Sequence, residues 1–271
     1  MKKLYLILFF PFILILSKIW NSIFVTTYHQ IEAEKTSNSN LDKKVMIILF
    51  IVAFSLLFNE YLGKFSFLIS SPKILSLHTY FPNFELFNLA YWVGIIIIFY
   101  LIIPLLVIKL IFKHKLSEYG LSTKGIFKSY KIYLLFFFFM VPLIVFVSAS
   151  EDFQNKYPFY SPFGESLWPN FIIWQFLYLF QFFALEFFFR GFMLHGIKKR
   201  FGFYSIWVMM IPYMMIHFGK PMAETIAAIF AGIILGALSL KSRSIWLGVA
   251  IHYSVAITMD LVSLWRKGYF D

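Results

Sequence analysis

The sequence predicts an all-α fold, a polytopic membrane bundle of about eight transmembrane helices. Of its 271 residues, 61% are hydrophobic and 14% are charged, and the mean hydropathy is +0.78, whereas about 25% of the residues in a soluble domain are charged. Apolar stretches close to the ~20 residues that cross a bilayer as a helix recur along the chain. They lack the strict alternation of barrel strands, so we expect helices.

Eight apolar segments account for these helices in order. The first follows Lys2 and Lys3 like a signal peptide, but it lacks a small-residue cleavage site and contains Lys18, so we interpret it as a retained anchor or an interfacial helix. Residues 21–44, which follow its apolar part, are predicted to form a polar linker. The segments cover residues 4–25, 45–58, 87–112, 131–148, 168–194, 203–218, 222–240 and 244–265.

The chain is expected to have two parts. Residues 1–130 hold N-terminal membrane helices and polar linkers, and residues 131–271 form the core that carries the functional residues. No Cys is present, which excludes disulfides, thiolate nucleophiles and Cys-ligated zinc.

The basic residues predict the orientation of the bundle. The net charge of +11 comes from Lys and Arg in short loops between apolar segments, a pattern that sets membrane orientation and does not indicate nucleic-acid binding. The loop from Lys109 to Lys131 contains six lysines and one acid, Glu118, and is therefore predicted to be cytoplasmic. The loop with Glu151, Asp152 and Glu165 then lies outside, and the basic residues at 198–200, 241 and 243 lie inside again.

Ionisable residues inside apolar segments are candidate functional residues. Each costs about 2.5–3.5 kcal/mol at the centre of a membrane helix, so it needs a partner or a function there. Counting from the cytoplasmic turns at ~1.5 Å per residue places Glu186 and His217 at one depth, with Glu224 and Asp260 close to it. The segments therefore predict a polar layer within the bundle. Its candidates are Glu186, Arg190, His217, Glu224, His252 and Asp260, whereas His195 is expected near the cytoplasmic interface.

The same residues also have purely structural interpretations. Glu186 and Arg190 share one helix face and could form only an ion pair. Glu224 lies in a first helical turn, where a carboxylate is favoured regardless of chemistry. His217, His252 and Asp260 could each be satisfied by hydrogen bonds within the core.

Three short motifs in the last four segments resemble those of the CPBP family. They are Glu186-Phe187-Phe188-Phe189-Arg190, then Tyr213-Met214-Met215-Ile216-His217, and then His252 in the final segment. The family comprises CaaX prenyl endopeptidases and bacteriocin-processing or Abi proteins, regarded as glutamic-type intramembrane proteases, and its motifs read EExxxR, FxxxH and HxxxN. The resemblance covers residues 168–262.

The chain departs from these motifs at three positions. Leu185 replaces the first Glu, the residue usually assigned to activating water. Ala256 replaces the Asn that is assigned to stabilising the oxyanion, and Tyr213 replaces Phe. Glu224 and Asp260 are extra carboxylates at the depth of the site that could compensate.

The resemblance implies an endopeptidase without a cofactor that cleaves membrane-embedded or lipidated peptide substrates in a lipid bilayer, expected to be a bacterial plasma membrane. In this interpretation Glu186, or failing it Glu224, activates water together with His217, because hydrolysis needs a base and an oxyanion donor. His252 then polarises the carbonyl group, and Arg190 orients Glu186.

Other functions stay open at this point. Two histidines, His217 and His252, with one carboxylate could hold a catalytic zinc ion. The same polar layer could belong to an inactive membrane scaffold or immunity factor, or to a proton-coupled carrier. A carrier usually has repeated halves, whereas these ionisable residues all lie in one half.

The predicted orientation can be tested by labelling single cysteines, since the chain has none of its own. In the variant Lys156→Cys, an impermeant thiol reagent added outside intact cells is expected to react, and in Lys124→Cys it is not. Labelling of position 156 only after the membrane is opened from the cytoplasmic side would reverse the orientation.

Overall fold

A computed structural model of the protein describes residues 14–36, 40–124, 126–161 and 166–270. Every regular element within these ranges is helical, apart from one isolated bridge between Leu121 and Ser244, and the predicted all-α fold is confirmed. The long helices are α1 (14–34), α2 (Lys43–Leu62), α3 (Phe84–Phe112), α4 (Tyr130–Val147), α5 (170–201), α6 (Ser205–Met215), α7 (Met222–Ser242) and α8 (Trp246–Arg266). Shorter helices lie between them at Phe65–Ile69, Pro72–Leu75, Ser76–Tyr80, Leu116–Tyr119, Ile126–Ser129, Glu151–Lys156 and Gly202–Tyr204.

Six helical runs in the described residues are long and apolar enough to cross a membrane, rather than the eight that were predicted. One difference arises because α5 and α6 belong to a single helical run, Asn170–Met215. This run folds back on itself near Gly202, whose φ of +57° lies in a region that favours glycine. With 11 residues, α6 is about 16 Å long, which is roughly half the thickness of a hydrocarbon core.

The other difference is the N-terminal helix α1, which is not among the six. Residues 4–13 of the first predicted segment lie outside the described residues. The prediction that residues 21–44 form a polar linker is wrong for residues 21–34, which are helical. The helix forms because Ile23, Thr27 and Ile31, spaced four residues apart, share one face that is fully buried against the bundle.

Helix α1 lies across one end of the bundle rather than along it. Ser22 Oγ accepts a hydrogen bond of 2.6 Å from Lys241 Nζ, and Glu32 Oε1 accepts one of 2.9 Å from the backbone N–H of Phe203. This N–H holds the pKa of the Glu32 carboxyl below its ordinary value. Glu34, further along the helix, lies 2.7 Å from Arg243. These partners all belong to turns at the same end, so the expectation of an interfacial helix fits this part of α1.

The loops meet at two opposite ends of the bundle. At one, which we call the basic end, residues 113–124, 198–204 and 241–245 lie together, and the N–H of Ile245 donates to Gly120 O at 2.9 Å. At the other, Arg266 Nε donates to Ser148 Oγ at 2.6 Å. This grouping agrees with the predicted alternation of loops, and which end is cytoplasmic stays a prediction.

Close packing of α6 against α7 depends on two glycines. A Cβ atom at Gly232 would lie 3.0 Å from Met210 Cγ and 3.1 Å from Tyr213 Cδ1, and one at Gly236 would lie 3.1 Å from Met209 Cε. The expected small-residue face is therefore present, and it brings the ring of Tyr213 against α7.

Candidate active site

A buried carboxylate, Glu186, lies at the centre of the predicted polar layer. It ends the regular α-helical part of α5, and the chain continues as a π-helix from Phe187 to His195, a distortion that is frequent at functional sites. Glu186 Oε1 lies 3.0 Å from Arg190 Nη1, one turn further along, and accepts a hydrogen bond of 2.9 Å from His252 Nδ1. Both Glu186 and Arg190 are almost completely shielded, with exposures of 0% and 1%.

The second oxygen of this carboxylate faces helix α8. Glu186 Oε2 is buried and has no hydrogen-bond partner among the described residues. A Cβ atom at Gly248 would lie only 2.7 Å from it. The absence of a side chain at Gly248 therefore lets α8 approach the carboxylate closely enough for His252, one turn away, to donate to it.

Arg190 joins the carboxylate to helix α6. The carbon of its guanidinium group lies 3.8 Å from the centre of the Tyr213 ring, a stacking contact that stabilises a cation shielded from water. The Tyr213 ring is in turn 5.0 Å from the ring of His217 and 6.1 Å from that of His252. Tyr213 therefore connects the members of the polar layer that come from three helices.

The hydrogen bonds assign the same tautomer to both histidines. His217 Nδ1 lies 2.9 Å from the carbonyl oxygen of Tyr213, which can only accept, so Nδ1 carries the proton. His252 Nδ1 faces the Glu186 carboxylate and likewise donates to it. In the neutral form each imidazole therefore keeps a lone pair on Nε2, and can accept a proton there.

Glu224 has partners of its own, Tyr157 and Lys220. Its Oε2 accepts a 2.6 Å hydrogen bond from the hydroxyl of Tyr157, and its Oε1 lies 2.5 Å from Lys220 Nζ. Burial and the neighbouring Glu224 raise the pKa of Tyr157 well above its ordinary value, so the hydroxyl stays a donor. Glu224 lies in the first turn of helix α7, as predicted, and no side-chain hydrogen bond caps that end of the helix. Its carboxylate is held by a cation and a phenol.

Asp260 has a structural environment as well. It is fully buried and accepts hydrogen bonds of 3.0 Å from the N–H of Phe159, 3.1 Å from Trp174 Nε1 and 3.1 Å from Gln175 Nε2. These bonds tie α8 to the start of α5 and to the preceding loop. This supports the interpretation of Asp260 as a satisfied core residue. His195 is also buried, and its Nε2 lies 3.1 Å from Ser239 Oγ at the basic end.

Two of the three positions that depart from the family motifs are occupied by apolar core residues. Leu185 is 5% exposed and packs in the hydrophobic cluster around α5, and Ala256 is 4% exposed and packs in a second cluster with Leu264 and Tyr178. Neither position offers a polar atom to the site from its side chain.

Three residues of this region escaped the sequence analysis or were undervalued by it. Tyr213 was noted only as a replacement for Phe, yet its ring contacts the guanidinium group. Lys220 was signalled by its spacing of four residues from Glu224, which favours an ion pair. Tyr157 lies 67 residues from Glu224 in the chain, and no local pattern connects the two.

The residues present do not fit the alternative zinc site. The described residues contain no group of three or more His, Asp or Glu side chains that could hold a metal ion. Glu224, one possible third ligand, is engaged by Lys220 and Tyr157, and Glu186 is engaged by Arg190 and His252.

Residues 166–258 match the family model described as "Type II CAAX prenyl endopeptidase Rce1-like". The matched region contains all three motifs from Glu186 to Ala256, and the resemblance to the CPBP family is confirmed. The match covers about a third of the chain and makes this region similar to CAAX proteases, and the six membrane-capable helices support an integral membrane protein. No curated protein and no solved structure matches the chain significantly.

The Glu186–Arg190 pair predicts a large effect on stability. In Arg190→Ala the buried Glu186 carboxylate loses its cation and keeps only His252 as a partner. The change should lower the free energy of unfolding by about 3–5 kcal/mol. Arg190→Ala combined with Glu186→Gln should recover part of this loss. The measurement is thermal unfolding in detergent, with Arg243→Ala at the exposed pair with Glu34 as control, for which about 0–1 kcal/mol is expected. An unchanged midpoint for Arg190→Ala would show that the pair is not structural.

Gly248 gives a second stability prediction. The extra methyl group of Gly248→Ala would collide with Glu186 Oε2, and the overpacking should cost about 1–3 kcal/mol. The matched control is Gly94→Ala, because a Cβ atom there has no neighbour within 4 Å; a helical Ala in its place should be neutral or stabilising by up to ~1 kcal/mol. Equal thermal midpoints for the two variants would contradict the close approach of α8.

Proposed function

We propose that the protein is an intramembrane endopeptidase of the CAAX type, which hydrolyses a peptide bond of a membrane-anchored or lipidated substrate in a bacterial plasma membrane. The observation that carries this proposal is the hydrogen bond from His252 Nδ1 to the buried Glu186 carboxylate, with His217 nearby across the Tyr213 ring. No cofactor is needed in this proposal.

The geometry supports a mechanism in which His252 transfers the proton and Glu186 acts through His252. Because Glu186 Oε1 is shared by Arg190 and His252, it is a poor direct base, but it can orient the imidazole and stabilise its protonated form. His252 Nε2 then removes a proton from water as the water attacks the carbonyl carbon. The resulting imidazolium returns this proton to the leaving amine when the C–N bond breaks.

His217 is assigned to holding the attacking water. Its Nδ1 proton is used by the Tyr213 carbonyl, so Nε2 can accept a hydrogen bond from the second hydrogen of the water. Its exposure of 6% is small but nonzero, as is that of the His252 side chain at 15%. Arg190 keeps Glu186 ionised and in place by its ion pair, so its role is positioning.

A catalytically inactive relative, acting as a membrane scaffold or immunity factor, is the second candidate. The observation that favours it is the apolar packing of Leu185 and Ala256, since the family has a base and an oxyanion donor at these positions. In this case the Glu186–Arg190–His252 cluster would only stabilise the bundle, and no peptide would be cleaved.

The two candidates are separated by a hydrolysis assay. The purified full chain in detergent or nanodiscs is incubated with prenylated and membrane-anchored peptides, with and without chelator, and the products are identified by mass spectrometry. We expect cleavage that chelator does not affect. A folded protein that cleaves no peptide of the panel supports the inactive relative instead.

Within that assay, the variants Glu186→Gln, His217→Ala and His252→Ala should each lower turnover at least ~100-fold, the usual contribution of an acid–base group. Glu224→Gln should lower turnover less than about tenfold, because Glu224 is bound to Lys220 and Tyr157 instead of to Glu186 and His252. Glu60→Gln, in the exposed pair with Lys64, is the control. A ~100-fold loss of turnover for Glu224→Gln would show that Glu224 takes part in catalysis. Full activity of the three site variants would refute catalysis by Glu186 and His252.

A further inference from the structure

A polar pocket of about 260 Å³ lies at the basic end of the bundle, where helix α1, the start of α2, the loop at 115–121 and the ends of α5 and α7 meet. Its charged lining consists of four cations and two carboxylates, so the net charge is +2. These side chains are Lys44, Lys198, Lys199, Arg243, Glu34 and Glu118. None of them takes part in the proposed hydrolysis.

The two carboxylates of the pocket are already engaged within the protein. Glu34 lies 2.7 Å from Arg243 and 3.2 Å from Lys198. The side chain of Glu118 accepts a 3.1 Å hydrogen bond from the backbone N–H of Lys115. Glu118 attracts Lys44 at longer range, but among the described residues neither carboxylate forms an ion pair within 4.0 Å with the other two cations of the pocket.

Lys44 and Lys199 have no carboxylate within 4.0 Å in the part of the chain that the structure describes. Lys44 Nζ is instead held 5.2 Å from the centre of the Tyr119 ring and 5.9 Å from that of Phe112. Cations gathered in one cavity repel each other, so an anion that enters it is favoured. A phosphate group suits several convergent cations because it offers several charged oxygens.

The surroundings indicate where such a phosphate comes from. Tyr28, Tyr204 and Trp207 lie at the same end of the bundle and are exposed. Amphipathic aromatic side chains of this kind mark the level of the lipid headgroups in membrane proteins. The pocket therefore lies where phosphodiester groups of the bilayer are found, and basic pockets between membrane helices on the cytoplasmic side bind anionic headgroups.

We propose that this pocket binds the phosphate of an anionic phospholipid, with Lys44 and Lys199 as its principal partners. The lipid fixes the position of α1 against the ends of α5 and α7, because the pocket is lined by all three helices.

The test counts lipids bound to the full chain by native mass spectrometry. The protein, purified in detergent, is titrated with phosphatidylglycerol and separately with phosphatidylcholine. Wild-type protein should prefer phosphatidylglycerol. The preference should fall about fivefold for Lys44→Gln or Lys199→Gln, from the contribution of one cation near a charged bilayer, and further for both together.

Three controls distinguish binding in this pocket from nonspecific attraction of anionic lipid to the positively charged protein. Lys73→Gln removes an exposed lysine at the opposite end and should keep the preference. The double variant Lys44→Arg, Lys199→Arg retains the charges and should keep most of it. The thermal midpoint in phosphatidylcholine nanodiscs shows whether the glutamine variants are folded.

Several results would overturn the proposal. One is an absence of preference in the wild type, and another is an equal loss in Lys73→Gln. Inorganic phosphate is the third arm: if it binds the wild type as tightly as phosphatidylglycerol does and displaces it, the pocket is a site for soluble phosphate and the assignment to lipid is wrong.

Discussion

The organisation of the core depends on one constraint, a carboxyl group that needs polar partners where almost no water reaches it. Glu186 meets this constraint with two partners on one oxygen, Arg190 from its own helix and His252 from α8. Arg190 in turn is stabilised by the face of Tyr213 on α6. Three helices are thereby connected through one charge, and a change in any member is transmitted to the others.

The same constraint shows what the sequence could and could not predict. Ionisable residues are rare in apolar segments, so Glu186, Arg190, His217 and His252 could be identified from their positions in the sequence. Counting residues from the turns placed Glu186 and His217 at one depth. The helix spacing also predicted the Glu186–Arg190 pair. The seven predicted spans from residue 45 onwards agree with helices α2 to α8 to within seven residues at each end, because hydropathy reports burial in lipid directly.

The remaining features depend on tertiary contacts. Glu224 is held by Tyr157, which comes from a distant loop, and depth counting cannot tell which way a side chain points. Residues 21–34 of helix α1 were mistaken for a linker because their buried positions, Ile23, Thr27 and Ile31, form a narrow face within a polar segment. Hydropathy averages over such a face, whereas a search for the helical period would have found it.

The shortness of α6 has a consequence for the surrounding bilayer. A helix of about 16 Å presents an apolar surface only about half as tall as the hydrocarbon core of ~30 Å, and lipids beside such a surface thin or tilt to match it. The turn that follows carries Lys220, a charged residue that is paired with Glu224 at this end of α6. The membrane is therefore expected to be indented next to His217, so that water reaches the histidines through a shallow depression rather than through the full thickness of the bilayer.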